Sequence, residues 1–143
     1  MKVEREMDMK APADEIYKVV MDPKRLKDWV SIHERLEDAP DTLRKGSTLK
    51  QSLKLAGRKF TVEWTVVENE RPTSVVWEGK GPLGSKARAT YEFDESDGVT
   101  HFTYSNEYDL PGGALGKMAG PAVRKVTGKE LDTSLDNLRS IVE

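Results

Sequence analysis

The sequence predicts an α+β fold: a curved antiparallel sheet of about seven strands wrapped around a long C-terminal helix, with two short helices after the first strand. Three observations carry this. From Ile32 to Asp109 the apolar residues recur with a period of two, and only short turns separate the runs, as in an antiparallel meander. Near the end the spacing becomes helical, with Leu131, Leu135, Leu138 and Val142 in one stripe. Between the first strand and the meander, two proline-led segments carry the start signals of helices.

Taken in order, Val3, Arg5, Met7 and Met9 alternate with Glu4, Glu6 and Asp8, giving a half-buried first strand with one acidic side. Ala11-Pro12 breaks it. Pro12 suits a first helical turn, Asp14 and Glu15 complement the helix dipole, and Ile16, Tyr17, Val19 and Val20 form an apolar stripe. Asp22 as N-cap and Pro23 at the first helical position repeat the signal, with Leu26, Trp29 and Val30 facing inward. Ile32 to Leu36 reads as a weak strand, and Leu49, Gln51, Leu53 and Leu55 share one face of the next. Ala56-Gly57 turns the chain into Arg58 to Asn69, where Phe60, Val62, Trp64 and Val66 lie together. Ser74 to Lys80 follows, then the turn Gly81-Pro82-Leu83-Gly84, then Ser85 to Asp94 with Ala87, Ala89, Tyr91 and Phe93 inward. Asp97-Gly98 makes a hairpin into Val99 to Leu110, with Phe102, Tyr104, Asn106 and Tyr108 on one face. After Pro111-Gly112-Gly113 the chain turns helical, and Gly120-Pro121 starts or kinks the main helix.

Composition sets the bounds. The 143 residues suit one domain spanning 1–143, long enough to bury a proper core. With 23 Lys and Arg against 25 Asp and Glu, a net charge of −2 provides no general basic footprint for nucleic acid or an anionic membrane. The absence of cysteine excludes disulfides, thiolate metal sites and a cysteine nucleophile. No window is apolar enough to span a bilayer, and the charged segment Met1 to Lys10 is unlike a signal peptide, so a soluble cytoplasmic protein is expected.

The order of elements is that of the helix-grip fold, and the chain resembles the superfamily called START-like, Bet v 1-like or SRPBCC, especially its polyketide cyclase/dehydrase and lipid-transport branch. The resemblance rests on Ala11-Pro12-Ala13-Asp14-Glu15-Ile16-Tyr17, Asp22-Pro23 through Trp29, and Val62-Glu63-Trp64-Thr65-Val66 ahead of Arg71-Pro72. It continues through Thr90-Tyr91-Glu92-Phe93 and Leu110-Pro111-Gly112-Gly113 to a helix ending in Leu135 and Leu138. It implies a hydrophobic cavity between sheet and long helix. It does not select one function, because the superfamily holds binders, transporters, cyclases and ring-hydroxylating subunits on one scaffold.

The residues themselves also point to a cavity. Gly79, Ala87 and Ala89 are small and lie on the concave face, and the first half of the last helix offers Gly113, Ala114, Gly116, Ala119, Gly120, Ala122 and Gly128. Facing small residues leave a void unless they serve to bring helix and sheet close together. Gln51, Tyr104, Asn106 and Tyr108 are polar residues at interior positions, which either satisfy one another or orient a ligand. Trp64 reads as core, while Trp29 and Trp77 read equally well as pocket wall. The ligand-binding set expected is therefore Trp29, Gln51, Trp77, Ala89, Tyr91, Tyr104, Asn106, Tyr108, Met118 and Ala122, with Leu83 and Leu110 at a portal.

Other chemistries find little support. His33 and His101 are the only histidines; His101 is expected to face solvent, His33 to lie at the surface or, following the second short helix, near the rim, and neither lies near a G-x-S-x-G elbow or a metal-ligand spacing. Gly112 to Lys117 lacks the spacing of a phosphate loop, and Arg124, Lys125 and Lys129 mix with acids on the outer side of the last helix. Glu63, Glu78, Glu92 and Glu107 alternate outward, so no catalytic residue, metal or cofactor is predicted. The leading expectation is a binder or transporter of a hydrophobic or amphipathic small molecule (a lipid, polyketide or isoprenoid), as monomer or homodimer, without nucleic acid or stable membrane association. A polyketide cyclase or aromatase using the same cavity is the second, with Tyr91, Tyr104 or Tyr108 assisting proton transfer. A protein-partner module, such as a co-chaperone or toxin–antitoxin component, is the third; it calls for a filled core and an exposed apolar patch.

Overall fold

A computed structural model of the chain describes residues 2–55, 57–109 and 121–143. Strand β1 (Lys2–Met9) leads into helix α1 (Ala13–Val20), a 3-10 turn (Pro23–Arg25) and the one-turn helix α2 (Leu26–Trp29). Six strands follow, β2 (His33–Asp38), β3 (Thr48–Leu55), β4 (Arg58–Glu70), β5 (Ser74–Lys80), β6 (Lys86–Ser96) and β7 (Val99–Asp109), and then helix α3 (Pro121–Val142). All seven strands form one antiparallel sheet in the order β1-β7-β6-β5-β4-β3-β2. This is the α+β helix-grip arrangement predicted from the sequence. Among the described residues no helix is long and apolar enough to cross a membrane.

Local chemistry explains the boundaries. Pro12 sits one residue before α1, where its carbonyl accepts from the amides of Glu15 and Ile16, and Glu95 Oε1 takes the amide of Ala13 at 2.7 Å. Asp22 caps the second segment through Lys24 N at 3.1 Å, and Pro23 opens a 3-10 turn before α2 rather than a continuous helix. The weak strand expected from Ile32 begins at His33, because the His33 amide bonds to the Val30 carbonyl and holds Ile32 in a turn. A register shift between Val66 and Glu68 bends β4 against β5 and adds to the curvature of the sheet. Gly57, at φ 79°, and Gly98, at φ 80°, occupy the left-handed positions of two hairpin turns. Ala56, in the first of these turns, and 110–120, which include the Leu110 to Gly113 loop, lie outside the described residues.

Helix α3 is gripped at several points. Leu131, Leu135 and Leu138 are buried against β1, α1 and α2. On the concave side of β1, Arg5 bonds Asp132 Oδ1 at 3.0 Å, and its guanidinium fills the space a side chain at Gly128 would need. At the α2 end, Ser31 N donates to Ser134 Oγ at 3.0 Å, Ser31 Oγ donates to the Glu130 carboxylate, and Asn137 Nδ2 donates to the Trp29 carbonyl at 3.3 Å. Gly128 thus serves close approach, not a void.

Gly79 serves the same purpose within the sheet. A Cβ there would stand 2.6 Å from Val62 Cγ1 and 2.8 Å from the Trp64 ring. In an open strand, Gly→Ala gains stability by restricting the unfolded chain. Here it must displace the indole, so Gly79→Ala should lower stability by about 1–3 kcal/mol. Urea unfolding checks this, and an unchanged midpoint would show that Trp64 has room to yield.

Candidate functional site

The curvature leaves a cavity of about 230 Å³ on the concave side of the sheet. It exceeds the roughly 150 Å³ that holds a benzene-sized molecule and lies just below the range of about 300–1,000 Å³ seen for drug-sized ligands. Leu26 and Val30 of the α2 region, Ile32, the β3–β4 residues Leu53, Leu55, Phe60 and Val62, and Ala87 and Ala89 of β6 make most of the wall. Period-two alternation puts these side chains inward and their charged neighbours outward: Glu63, Glu78, Glu92 and Glu107 are all exposed. Among the described residues the α3 side chains do not reach this wall. The buried leucines of α3 lie against β1, α1 and α2, and Leu26 and Val30 of the α2 region border the cavity.

Two polar clusters interrupt the apolar wall. In the first, Gln51 is buried on β3; its Oε1 accepts from Trp64 Nε1 at 3.0 Å, and its Nε2 donates to His33 Nδ1 at 2.8 Å. His33 is therefore half-buried and bonded, not at the open surface. Burial lowers its pKa, against a smaller upward pull from Glu34. Trp64 is buried in the core as expected and also lines the cavity.

The second cluster is phenolic. Tyr91 and Tyr104 stack with centroids 5.1 Å apart, and Asn106 Nδ2 donates to the Tyr104 hydroxyl at 3.4 Å. Burial drives the Tyr91 pKa well above its ordinary value, and Tyr104 reinforces this. Burial also raises Tyr104 and Tyr108, with hydrogen bonds from Asn106 and Tyr91 opposing it at Tyr104. These phenols stay protonated throughout the neutral range and offer O–H donors rather than a charged base.

Gln51, Trp77, Ala89, Tyr91, Tyr104, Asn106 and Tyr108 are thus brought together on one wall. The four polar residues grouped from sequence fall into two clusters: Gln51 belongs with His33 and Trp64, and Tyr104, Asn106 and Tyr108 belong with Tyr91. Trp29 stands behind the wall, packed on Tyr91 and Tyr104 with centroids 6.1 and 5.6 Å away. Leu83 is 79% exposed at the tip of the turn whose Gly81 and Pro82 border the cavity. Leu110, Met118 and the Ala122 side chain lie outside the described residues. The Trp77 indole N–H is buried on the wall with no acceptor. Sequence alternation missed Arg58, Lys59 and Lys86, which border the cavity at the strand ends; their only signal was closeness to two turns. Among the described residues no group of three or more His, Asp or Glu could hold a metal ion.

The family model described as "Polyketide cyclase / dehydrase and lipid transport" matches residues 1–143. The chain belongs to that family. A curated relative named Toxin Rv0910, from Mycobacterium tuberculosis, is 24% identical, with 98% of this chain and 96% of the relative covered. Among solved structures, the Zhui aromatase/cyclase of a Streptomyces species superposes with a TM-score of 0.78 at 13% identity, covering 99% of this chain and 93% of that one. The major latex-like protein 151 of Panax ginseng does so with a TM-score of 0.72 at 12% identity, covering 99% and 97%. These superpositions establish the shared fold.

The two histidines generate opposite pH dependences. His33 is held below its ordinary pKa of 6.5, so its stabilisation is full above that pH and is lost as pH falls toward the lowered value. His101 is exposed, bonds Asp8 at 2.7 Å and is raised above 6.5, so its contribution is full below that pH and is lost as pH rises through the raised value. In His101→Gln, stability should therefore fall as pH drops below 6.5. In the double variant with His33→Gln that slope should vanish. Chemical unfolding at a series of pH values checks both; a slope unchanged by the second substitution would remove His33 as its source.

Proposed function

We propose that this protein binds a hydrophobic or amphipathic small molecule in the concave cavity, as a carrier or sequestering protein. The observation that carries the reading is a mainly apolar cavity wall with a few polar donors, including a Trp77 N–H that has no acceptor. Burying apolar ligand surface provides about 25 cal/mol per Å², and an oxygen placed against Trp77 would satisfy an indole N–H that otherwise has no acceptor. Family membership supports the same reading.

A cyclase-like reaction in this space would rely on Tyr91, Tyr104 or Tyr108 as a neutral proton donor. Their burial favours orientation of a carbonyl oxygen over proton abstraction. The toxin relative supports a second reading, a component of a toxin–antitoxin pair.

Thermal unfolding against fatty acids, sterols, flavonoids and aromatic polyketides tests the main reading. A ligand at a hundred times its dissociation constant adds about 2.7 kcal/mol, which should raise the Tm by roughly 5–10 °C. Ala89→Leu, which fills the cavity from β6, should abolish the shift while leaving the protein folded. Absence of any shift in the wild type at saturating concentrations would reject the reading. Growth arrest on expression, undiminished by Ala89→Leu, would favour the toxin reading instead.

A further inference from the structure

We infer that the ligand carries a carboxylate and that Arg58, at the cavity mouth, receives it. This rests on the small-molecule reading above and adds the chemistry of the head group. Arg58 has the same strand parity as Phe60, Val62 and Trp64, so it ends the concave face of β4 as a cation, and it borders the cavity. Lys59 and Lys86 border it as well, and the wall holds no carboxylate among the described residues.

Further exposed lysines lie nearby on the outer face of the sheet, where Lys54 shares the parity of Lys50 and Lys80 that of Glu78. Lys54 lies directly opposite Lys59 across β3 and β4, and Lys80 lies directly opposite Lys86 across β5 and β6. Like charges in such positions repel. Nearby acids do little to relieve them. Glu34 reaches Lys59 only at 3.9 Å, and Glu63, the register partner of Lys80, bridges Lys50 at 3.9 Å. Lys86 also faces Asp109 in the backbone register with β7. Among the described residues Arg58, Lys54, Lys80 and Lys86 form no ion pair. Three cations at the cavity border, Arg58 among them without an ion pair, and no lining carboxylate are what an incoming anion would meet, and the guanidinium fork matches a carboxylate in two parallel hydrogen bonds.

The test compares decanoate with decan-1-ol, which share a chain and differ in the head, by calorimetric titration at low salt. Wild type should prefer decanoate by about five- to tenfold. R58Q should bind the two alike, R58K should fall between, and K125Q, which removes an exposed charge on α3, should keep the full preference. Equal binding of both ligands to wild type overturns the inference and leaves the cavity reading standing. A preference that persists in R58Q also overturns it. If neither ligand binds wild type, the cavity reading fails and the inference falls with it.

Discussion

Among the described residues the concave face of the curved sheet is closed in two ways, by the leucines of a helix and by a wall of interlocked aromatic rings, and most features of this protein follow from that division. The leucines of α3 cover one end. At the other, the described residues that border the space are one turn of α2, the ends of β3 and β4, and a group of aromatic rings. The rings succeed because they are wide and rigid: Trp77, Tyr91, Tyr104 and Trp29 brace one another at centroid distances of 5.1–6.1 Å. A wall held by its own members need not collapse into the space beside it.

Burying polar atoms in that wall imposes its own conditions. Gln51 is tolerated because both ends of its amide are engaged, one by Trp64 and one by His33. The phenols share hydrogen bonds within their own group. The indole N–H groups of Trp77 and Trp29 are the exceptions, both buried without an acceptor.

The architecture was readable from the sequence because strand alternation, helix stripes and turn residues are local signals. All seven strands and both helical regions follow from them, with small shifts where a turn such as Val30 to His33 captured an end residue. The site was readable only in part. Alternation identifies inward-facing Gln51, Tyr91, Tyr104 and Asn106, but not which of them bond one another across a curved sheet, so it does not show that Gln51 pairs with Trp64 and His33. Small residues were ambiguous for the same reason: Gly79 and Gly128 accommodate Trp64 and Arg5, whereas Ala87 and Ala89 leave space. Only the three-dimensional neighbour separates the two cases. Arg58 escaped notice because a charge beside a turn is unremarkable until the turn is seen to border an opening.

The pairing of an anchoring leucine stripe on α3 with a cavity wall set by side-chain size has an evolutionary consequence. The α3 leucines and the aromatic wall belong to one buried core, but Ala87 and Ala89 border the open space itself, so larger side chains there can enter it without displacing a leucine of α3. Lineages can therefore remodel the chamber by exchanging side chains at positions such as Ala87 and Ala89 while the anchoring end keeps the chain folded. A scaffold partitioned in this way can diverge in cargo faster than in shape, which accords with superpositions that span nearly the whole chain at 12–13% identity.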